Sequence, residues 1–339
     1  MVRVAILSFW HVHAKDYARD ADEHPNAEVV AIWDEDAARG QTEAGARGVR
    51  FVERLDDLLA DPEIDGVVIT TATTAHRDVM LAAAAAGKHI FTEKVISPIR
   101  KEADEIVAAI ERAGVAFVVS LPRIATGFAR AINAEIANGA VGDATYARVR
   151  VAHDGALAKP DQPHGWLPAR FFDRADTAGG ALIDLGAHPL YLLAWLLGVP
   201  ETVSATYGAV TGREVDDNAV VTLGYANGAI GVAEVAFVGR SPLTIEVHGT
   251  AGSLLFGMPD DRLWLRVATA GPRGGWVARP TLPEDGPGPF AQWIAHIQDG
   301  TRASENVALA LDLSSLAGAA NRSAAERRIV HLEPACDVR

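Results

Sequence analysis

The first third of the chain alternates short apolar runs with stretches whose apolar residues recur every three or four positions. Residues 2–7, 29–33, 66–70, 89–92 and 116–119 read as strands. Residues 14–22, 35–44, 54–60, 76–86 and 99–112 read as the helices between them. Strands apolar on both faces and separated by helices predict a parallel sheet covered on both sides. Gly87 and Gly114 stand where helix C-caps are expected, and Pro98 suits the first turn of the next helix.

Near Leu121-Pro122 the rhythm changes. After one more helix, 128–138, strands dominate: 144–152, 203–207, 218–225, 229–237, 243–248 and 253–256. Asn227-Gly228 between two of them is a two-residue hairpin signal. Residues 153–177 carry three prolines, Trp166 and Phe171-Phe172, and read as a long loop over a site. Residues 271–289 read as a Pro/Gly-rich surface loop. Helices at 290–299 and 304–325 and a short strand at 329–332 close the chain. The pattern predicts an α/β fold in two parts. A doubly wound, Rossmann-type dinucleotide-binding domain spans 1–121. An α+β domain with a large, mostly antiparallel sheet, for substrate binding and oligomerisation, spans 122–339.

Composition narrows the partners. The 339 residues are 49% hydrophobic and 22% charged, an ordinary globular balance with room for two cores. A net charge of −13 without a Lys/Arg cluster argues against nucleic acid. The one cysteine, Cys336, offers no disulfide frame and fits a reducing compartment. No apolar run is long enough to span a bilayer, and 2–7 is too short for a signal-peptide core. The expectation is a cytoplasmic protein with no membrane partner. Alternating apolar residues at 220–225 and 230–237 leave a sheet face that needs cover, so a homo-oligomer is expected.

In a doubly wound sheet, ligands bind beyond the carboxyl ends of the strands. That rule gathers Ser8, Phe9, Trp10, His11 and Val12 after the first strand and Asp34 after the second, with Arg39 nearby. It adds Thr71, Thr73 and His76 after the third, and Glu93-Lys94 after the fourth. All of these but Lys94 are the candidate cofactor contacts. Asp34 stands where a ribose-binding acid is expected, which favours NAD, with NADP possible because of Arg39; Asp34 also suits a helix N-cap. The first turn holds no glycine, although a dinucleotide turn usually needs it for close backbone approach. His11 and His13, one residue apart, also suit a metal. No full ligand set is apparent, so no metal is expected. Lys94 at a strand end can hold a substrate oxygen and help move its proton if its pKa is lowered.

Further on, Asp184 and His188 stand four residues apart after Gly179-Gly180. On a helix that spacing puts both on one face, continued by Tyr191 and Trp195, with Leu182, Leu185, Leu192 and Leu196 on an apolar face. A carboxylate beside an imidazole suits proton transfer near neutral pH. An acid near a helix N-terminus with a surface histidine one turn on would give the same spacing.

At these residues the chain resembles the Gfo/Idh/MocA oxidoreductases, the relatives of glucose-fructose oxidoreductase and inositol dehydrogenase. The resemblance runs nearly end to end. It is carried by Ala86-Gly87-Lys88-His89-Ile90-Phe91-Thr92-Glu93-Lys94 and by the segment from Gly179 to His188. Asp217-Asn218-Ala219, Asn227-Gly228-Ala229 and the segment from His248 to Gly252 add to it, as does the closing run from Ser323 to Arg328. The resemblance implies hydride transfer between a nicotinamide nucleotide and a sugar, cyclitol or related polyol. It implies Lys94, Asp184 and His188 as the catalytic set, with Asp184 orienting His188 and Arg123 near the substrate. Trp166, Phe171 and Phe172 are candidates for the substrate wall, or simply loop anchors. It also implies dimers or tetramers through the second domain's sheet. Val95 replaces a proline, Ala72-Thr73 a Pro-Asn, and Tyr191 an acid often found three residues after the histidine. These departures mark a divergent branch. Two alternatives stay open: a non-catalytic nucleotide- or sugar-binding regulator on the same fold, and a metal-dependent hydrolase using His11, His13, Asp184 and His188.

Overall fold

The computed structural model describes residues 1–258, 260–267 and 275–332; Cys336 and part of the expected 271–289 loop lie outside them. Strands β1 (Val2–Leu7), β2 (Ala27–Trp33), β3 (Arg50–Phe51), β4 (Gly66–Ile69), β5 (His89–Thr92) and β6 (Phe117–Val119) form one sheet in the order β3-β2-β1-β4-β5-β6. Neighbouring strands are parallel throughout. Helices α1 (Ala14–Glu23), α2 (Ala37–Arg47), α3 (Leu55–Leu59), α4 (His76–Ala85) and α5 (Arg100–Ala113) connect them. The strand order reverses between β1 and β4, and a ligand crevice lies outside the carboxyl ends there. β4 is buried along its whole length, as a strand covered on both faces must be. β3 escaped the sequence reading because two residues, one of them exposed, carry no period. Gly114 caps α5 in the left-handed region as expected. Pro98 lies before that helix, whose N-cap is Ile99, and not in its first turn.

The rest of the chain runs α6 (Gly127–Ala137), β7 (Ala144–Ala152), α7 (Arg174–Thr177) and α8 (Ala187–Leu197). It continues through β8 (Thr202–Gly208), β9 (Asn218–Gly224), β10 (Ile230–Ala236), β11 (Ser241–Gly249) and β12 (Gly252–Phe256). β13 (Leu263–Val267), β14 (Val277–Ala278), α9 (Pro289–Asp299), α10 (Ser304–Glu326) and β15 (Val330–His331) complete it. The second sheet has nine strands among the described residues, ordered β14-β13-β12-β11-β7-β10-β9-β8-β15. Only β7 and β10 pair in parallel. The chain reverses at Asn227-Gly228, but through a three-residue loop, 226–228, in place of the expected two-residue turn, because Gly224 pairs with Ile230 and the Tyr225 N–H donates to the Ala229 carbonyl. Gly228 takes a φ of 83°, and the Asn227 side chain accepts from the Ala229 N–H at 3.0 Å.

The chain divides into two compact units, Met1–Pro122 with Pro287–Leu311, and Arg123–Gly286 with Asp312–Arg339. The division differs from a single break at 121/122 because α9 packs with the first sheet. Phe290, Trp293 and Ile294 of α9 are buried in the same cluster as Phe91, Val68 and Tyr17. Gly66 makes room: a Cβ there would stand 2.8 Å from the Trp293 ring. Asn306, at the start of α10, bonds both the N–H and the C=O of Val119 and so occupies the open edge of β6.

In the second unit, Ala147, Val149, Ala233, Val235 and Val247 are buried on one side of the large sheet. α8 is buried almost all round, as a helix apolar on every face must be. On the other side of the sheet Arg148 bonds Glu234 and Glu246 at 2.7–2.8 Å, while Val220 and Ile230 remain 45% and 46% exposed. No helix among the described residues is long and apolar enough to cross a membrane.

Candidate active site

The first loop solves its missing-glycine problem with a serine. Ser8 has a φ of 80°, the left-handed region that glycine normally takes, at a cost of about 1–3 kcal/mol. Four contacts hold it there. Its N–H donates to the Trp33 carbonyl at 2.6 Å, and its carbonyl accepts from the Thr70 hydroxyl at 2.5 Å. Its Oγ accepts from the Trp10 N–H at 2.9 Å and from Arg39 at 3.4 Å. The left-handed residue of this loop is therefore supplied without glycine, while Phe9 and Trp10 turn into buried positions.

Asp34 ends β2 and is buried. One oxygen accepts from Phe9 N–H (2.8 Å) and Arg39 Nε (2.9 Å). The other accepts from Asp36 N–H (2.8 Å) and Arg39 Nη2 (2.6 Å). Asp34 thus ties the first loop to β2. The N-cap of α2 is Asp36, which accepts from Ala38 and Arg39 N–H, and not Asp34. Arg39 also reaches Glu35 at 2.6 Å.

At the end of β4, Thr71 is buried and its hydroxyl lacks a hydrogen-bond partner. Such a group at the switch point is suited to a ligand's polar atom. That hydroxyl and the loop turn are the two observations on which these residues fit a dinucleotide. Thr73 opens the short helical turn before α4. The buried His76 ring faces the Val95 carbonyl (2.8 Å) and the Thr71 carbonyl (3.2 Å), and burial lowers its pKa. It ties these two segments together.

Glu93 and Lys94 follow β5, and both are buried. The Lys94 ammonium lies 3.6 Å from Glu93 Oε1, which also accepts the Lys94 N–H at 3.0 Å. Glu93 Oε2 faces His13 Nδ1 at 3.1 Å and His11 Nδ1 at 3.8 Å, and accepts the Tyr17 hydroxyl proton. Burial alone would raise the Glu93 pKa, but His11, Lys94 and His13 outweigh it and hold the group well below the ordinary carboxylate range. The Lys94–Val95 peptide is cis.

In the second unit, the segment that the sequence reading put on one helix is a series of turns, and α8 begins only at Ala187. Asp184 therefore precedes the helix that carries His188. Asp216 clamps the turns: its carboxylate accepts from Gly180 and Leu182 N–H, each at 2.8 Å, and its carbonyl accepts from Ala181 N–H. A Cβ on Gly180 would lie 1.9 Å from the Asp216 carbonyl oxygen, so only glycine fits.

His188 is buried, with Nδ1 3.0 Å from the hydroxyl of the fully buried Tyr191. The same hydroxyl accepts the Arg123 N–H at 3.0 Å. Tyr191, expected on the same helical face as His188, is thus set against its Nδ1. The Asp184 carboxylate acts on His153, whose pKa burial lowers and Asp184 raises. His153 was not foreseen. Its ring stacks on Phe237 (4.9 Å between centroids) and lies 4.8 Å from Trp166. Phe172 packs edge-on to Phe237 at 6.1 Å, beneath the Arg213 guanidinium. Trp166 and Phe237 thus meet at His153, with Phe172 packed on Phe237, and Trp166 is pinned by its Nε1–H to Asp154 at 3.1 Å.

Residues 3–121 match the oxidoreductase family with an NAD-binding Rossmann fold, and residues 129–255 match the GFO/IDH/MocA C-terminal domain. The chain belongs to the Gfo/Idh/MocA oxidoreductase family. Within it, the chain is 31% identical over 247 residues to a 1,5-anhydro-D-fructose reductase of Ensifer adhaerens, covering 71% of this chain and 72% of the relative. It is 29% identical to an inositol 2-dehydrogenase of Rhizobium meliloti, over 95% of each. Among solved structures, GenD2 from gentamicin A biosynthesis in complex with NAD has a TM-score of 0.81 at 26% identity, over 98% of this chain and 97% of that one. A levoglucosan dehydrogenase in complex with NADH and levoglucosan shares the fold, with a TM-score of 0.81 at 24% identity, over 98% and 99%. The Gfo/Idh/MocA assignment makes this an NAD-binding oxidoreductase.

Proposed function

We propose that this oxidoreductase interconverts a secondary alcohol and a ketone on a sugar, cyclitol or related polyol, using NAD in preference to NADP. The observation that carries the reading is the Lys94 ammonium, with its side chain 1% exposed at the carboxyl end of β5. Lysines are almost never fully buried unless paired, as Lys94 is with Glu93, since an ammonium in the interior costs several kcal/mol. A nicotinamide, when bound, supplies the hydride chemistry. The loop 8–12, Asp34, Thr71, Thr73 and Glu93 are the residues to hold the dinucleotide. Lys94 holds the reacting oxygen, His188 takes up or returns its proton, and Tyr191 fixes the His188 ring through Nδ1. Asp184, Arg123, Trp166 and Phe172 shape the substrate side. Asp34 and Glu35, both bonded to Arg39, disfavour a 2′-phosphate.

The test is a thermal-shift titration with NADH and NADPH, followed by a sugar and cyclitol panel read by NADH absorbance. Stabilisation by NADH, and turnover lost in Lys94→Ala and His188→Ala, is the expected result. A protein that neither nucleotide stabilises would end the reading. Nucleotide binding without turnover of any polyol would point to a regulator instead. The exposed Val220 and Ile230 on the open sheet face support self-association, and light scattering after size exclusion should give a dimer or tetramer.

A further inference from the structure

The first loop holds chemistry that a dinucleotide does not require. His11 and His13 follow β1, and Glu93 follows β5, eighty residues later. One ligand atom from each lies within 4.8 Å of the others. His13 Nδ1 and His11 Nδ1 face the same carboxylate oxygen at 3.1 and 3.8 Å. Two ligands each about 2.0–2.1 Å from a tetrahedral zinc stand about 3.3 Å apart, so these distances bracket that value. We propose that His11, His13 and Glu93 form a binding site for a divalent transition-metal ion of the zinc class.

A hydrogen bond between His13 and Glu93 explains the shorter contact by itself. His11 Nδ1, at 3.8 Å, lies beyond hydrogen-bond reach of the same oxygen but within the span of the three-ligand cluster. The His13 N–H donates to His11 Nδ1 at 3.2 Å, so that nitrogen is an unprotonated acceptor, and a bound ion would take over the one lone pair this hydrogen bond now occupies. An unprotonated imidazole nitrogen and a carboxylate oxygen are the forms that bind a cation. Two imidazoles and one carboxylate form a donor set that zinc, ferrous iron and cobalt all accept.

The outer partners suit a ligating carboxylate. Tyr17 donates its hydroxyl proton to Glu93 Oε2, and Ser120 lies 2.8 Å from the Tyr17 oxygen. The Lys94 N–H holds Oε1, leaving Oε2 turned toward the histidines. Outer hydrogen bonds of this kind fix the orientation of metal ligands. The ordinary absence of a third ligand from a His-X-His sequence is made good by the fold, since β1 and β5 end on the same edge of the sheet.

The test uses the full chain, stripped with a chelator and titrated with Co²⁺ alone. Visible ligand-field bands saturating near one equivalent, and bleached by Zn²⁺, are expected. Glu93→Gln, which preserves shape, and His13→Ala should each weaken binding by at least about tenfold, with the folded state checked by circular dichroism. Bands absent from the wild-type chain would overturn the proposal, as would Co²⁺ binding that survives unchanged in both folded variants. The readout does not depend on turnover or on dinucleotide binding, so it stands or falls apart from the dehydrogenase reading.

Discussion

The Tyr191 hydroxyl stands 3.0 Å from Nδ1 of His188, one helical turn away on α8, and accepts the Arg123 N–H with its other side. A carboxylate in this place could only accept, and would lock a proton on Nδ1. A neutral phenol can donate or accept, so it fixes the ring without adding a negative charge. Replacing Tyr191 by Phe removes that hold while keeping the ring's bulk. The expected result is a fall in kcat of about tenfold, for a bond worth about 1–1.5 kcal/mol, with KM little changed. The His188 imidazole ¹⁵N shifts should move as well. Unchanged kcat and unchanged shifts would show that Tyr191 only fills space.

Lys94→Ala should lower kcat/KM by about 10²–10⁴-fold, the range of a positioned proton-transfer group. NADH should still raise the melting temperature of this variant. Comparable turnover in wild type and variant would remove Lys94 from the chemistry.

Asp34→Ala should destabilise the chain by about 1–3 kcal/mol, because it strands the buried Phe9 N–H and frees Arg39. Urea melts measure the stability loss, and calorimetry should show weaker NADH binding. A variant as stable as wild type would mean that the loop holds its shape without this tie.

Gly180→Ala should be among the most damaging single-methyl changes available. A Cβ 1.9 Å from the Asp216 carbonyl oxygen forces the turns away from their clamp. A loss of about 3 kcal/mol or more, or insoluble protein, is expected. Gly45→Ala, where nothing lies within 4 Å, is the control and should be neutral or slightly stabilising.

The Asp154 carboxylate is bonded to Arg240, Trp166 and Lys159, which together bring its pKa down to about 2. A group whose pKa is lowered by folding contributes above its unfolded value, near 3.9, and the contribution fades as pH falls toward 2. The stability gap between wild type and Asp154→Asn should therefore be constant above about pH 5 and close between about pH 4 and pH 2. A gap that widens on acidification would contradict the assignment.

Much of the fold was legible along the chain. The extents of β1, β5 and β7 follow from apolar runs or alternation, and the reversal after β9 from Asn227-Gly228, though not its loop length. These are local signals: a period, a cap or a turn residue acts through neighbours a few positions away. The short edge strands β3 and β14 were not legible, because two residues have no period and are held by their partners. Lys94 and His188 could be named from their segments, but not what holds them.

By itself, the sequence determined the two-domain plan, the parallel sheet and the residues with chemical potential, since backbone preference and apolar spacing are encoded locally. Only the tertiary structure decided which groups meet. It set the Tyr191 phenol against His188, bound Asp34 to the Phe9 and Asp36 amides and to Arg39, and set Glu93 against two histidines of a loop eighty positions earlier. Such encounters depend on which strand ends share an edge and on which helix turns begin where. Those outcomes come from packing the whole core, which no local window of residues contains.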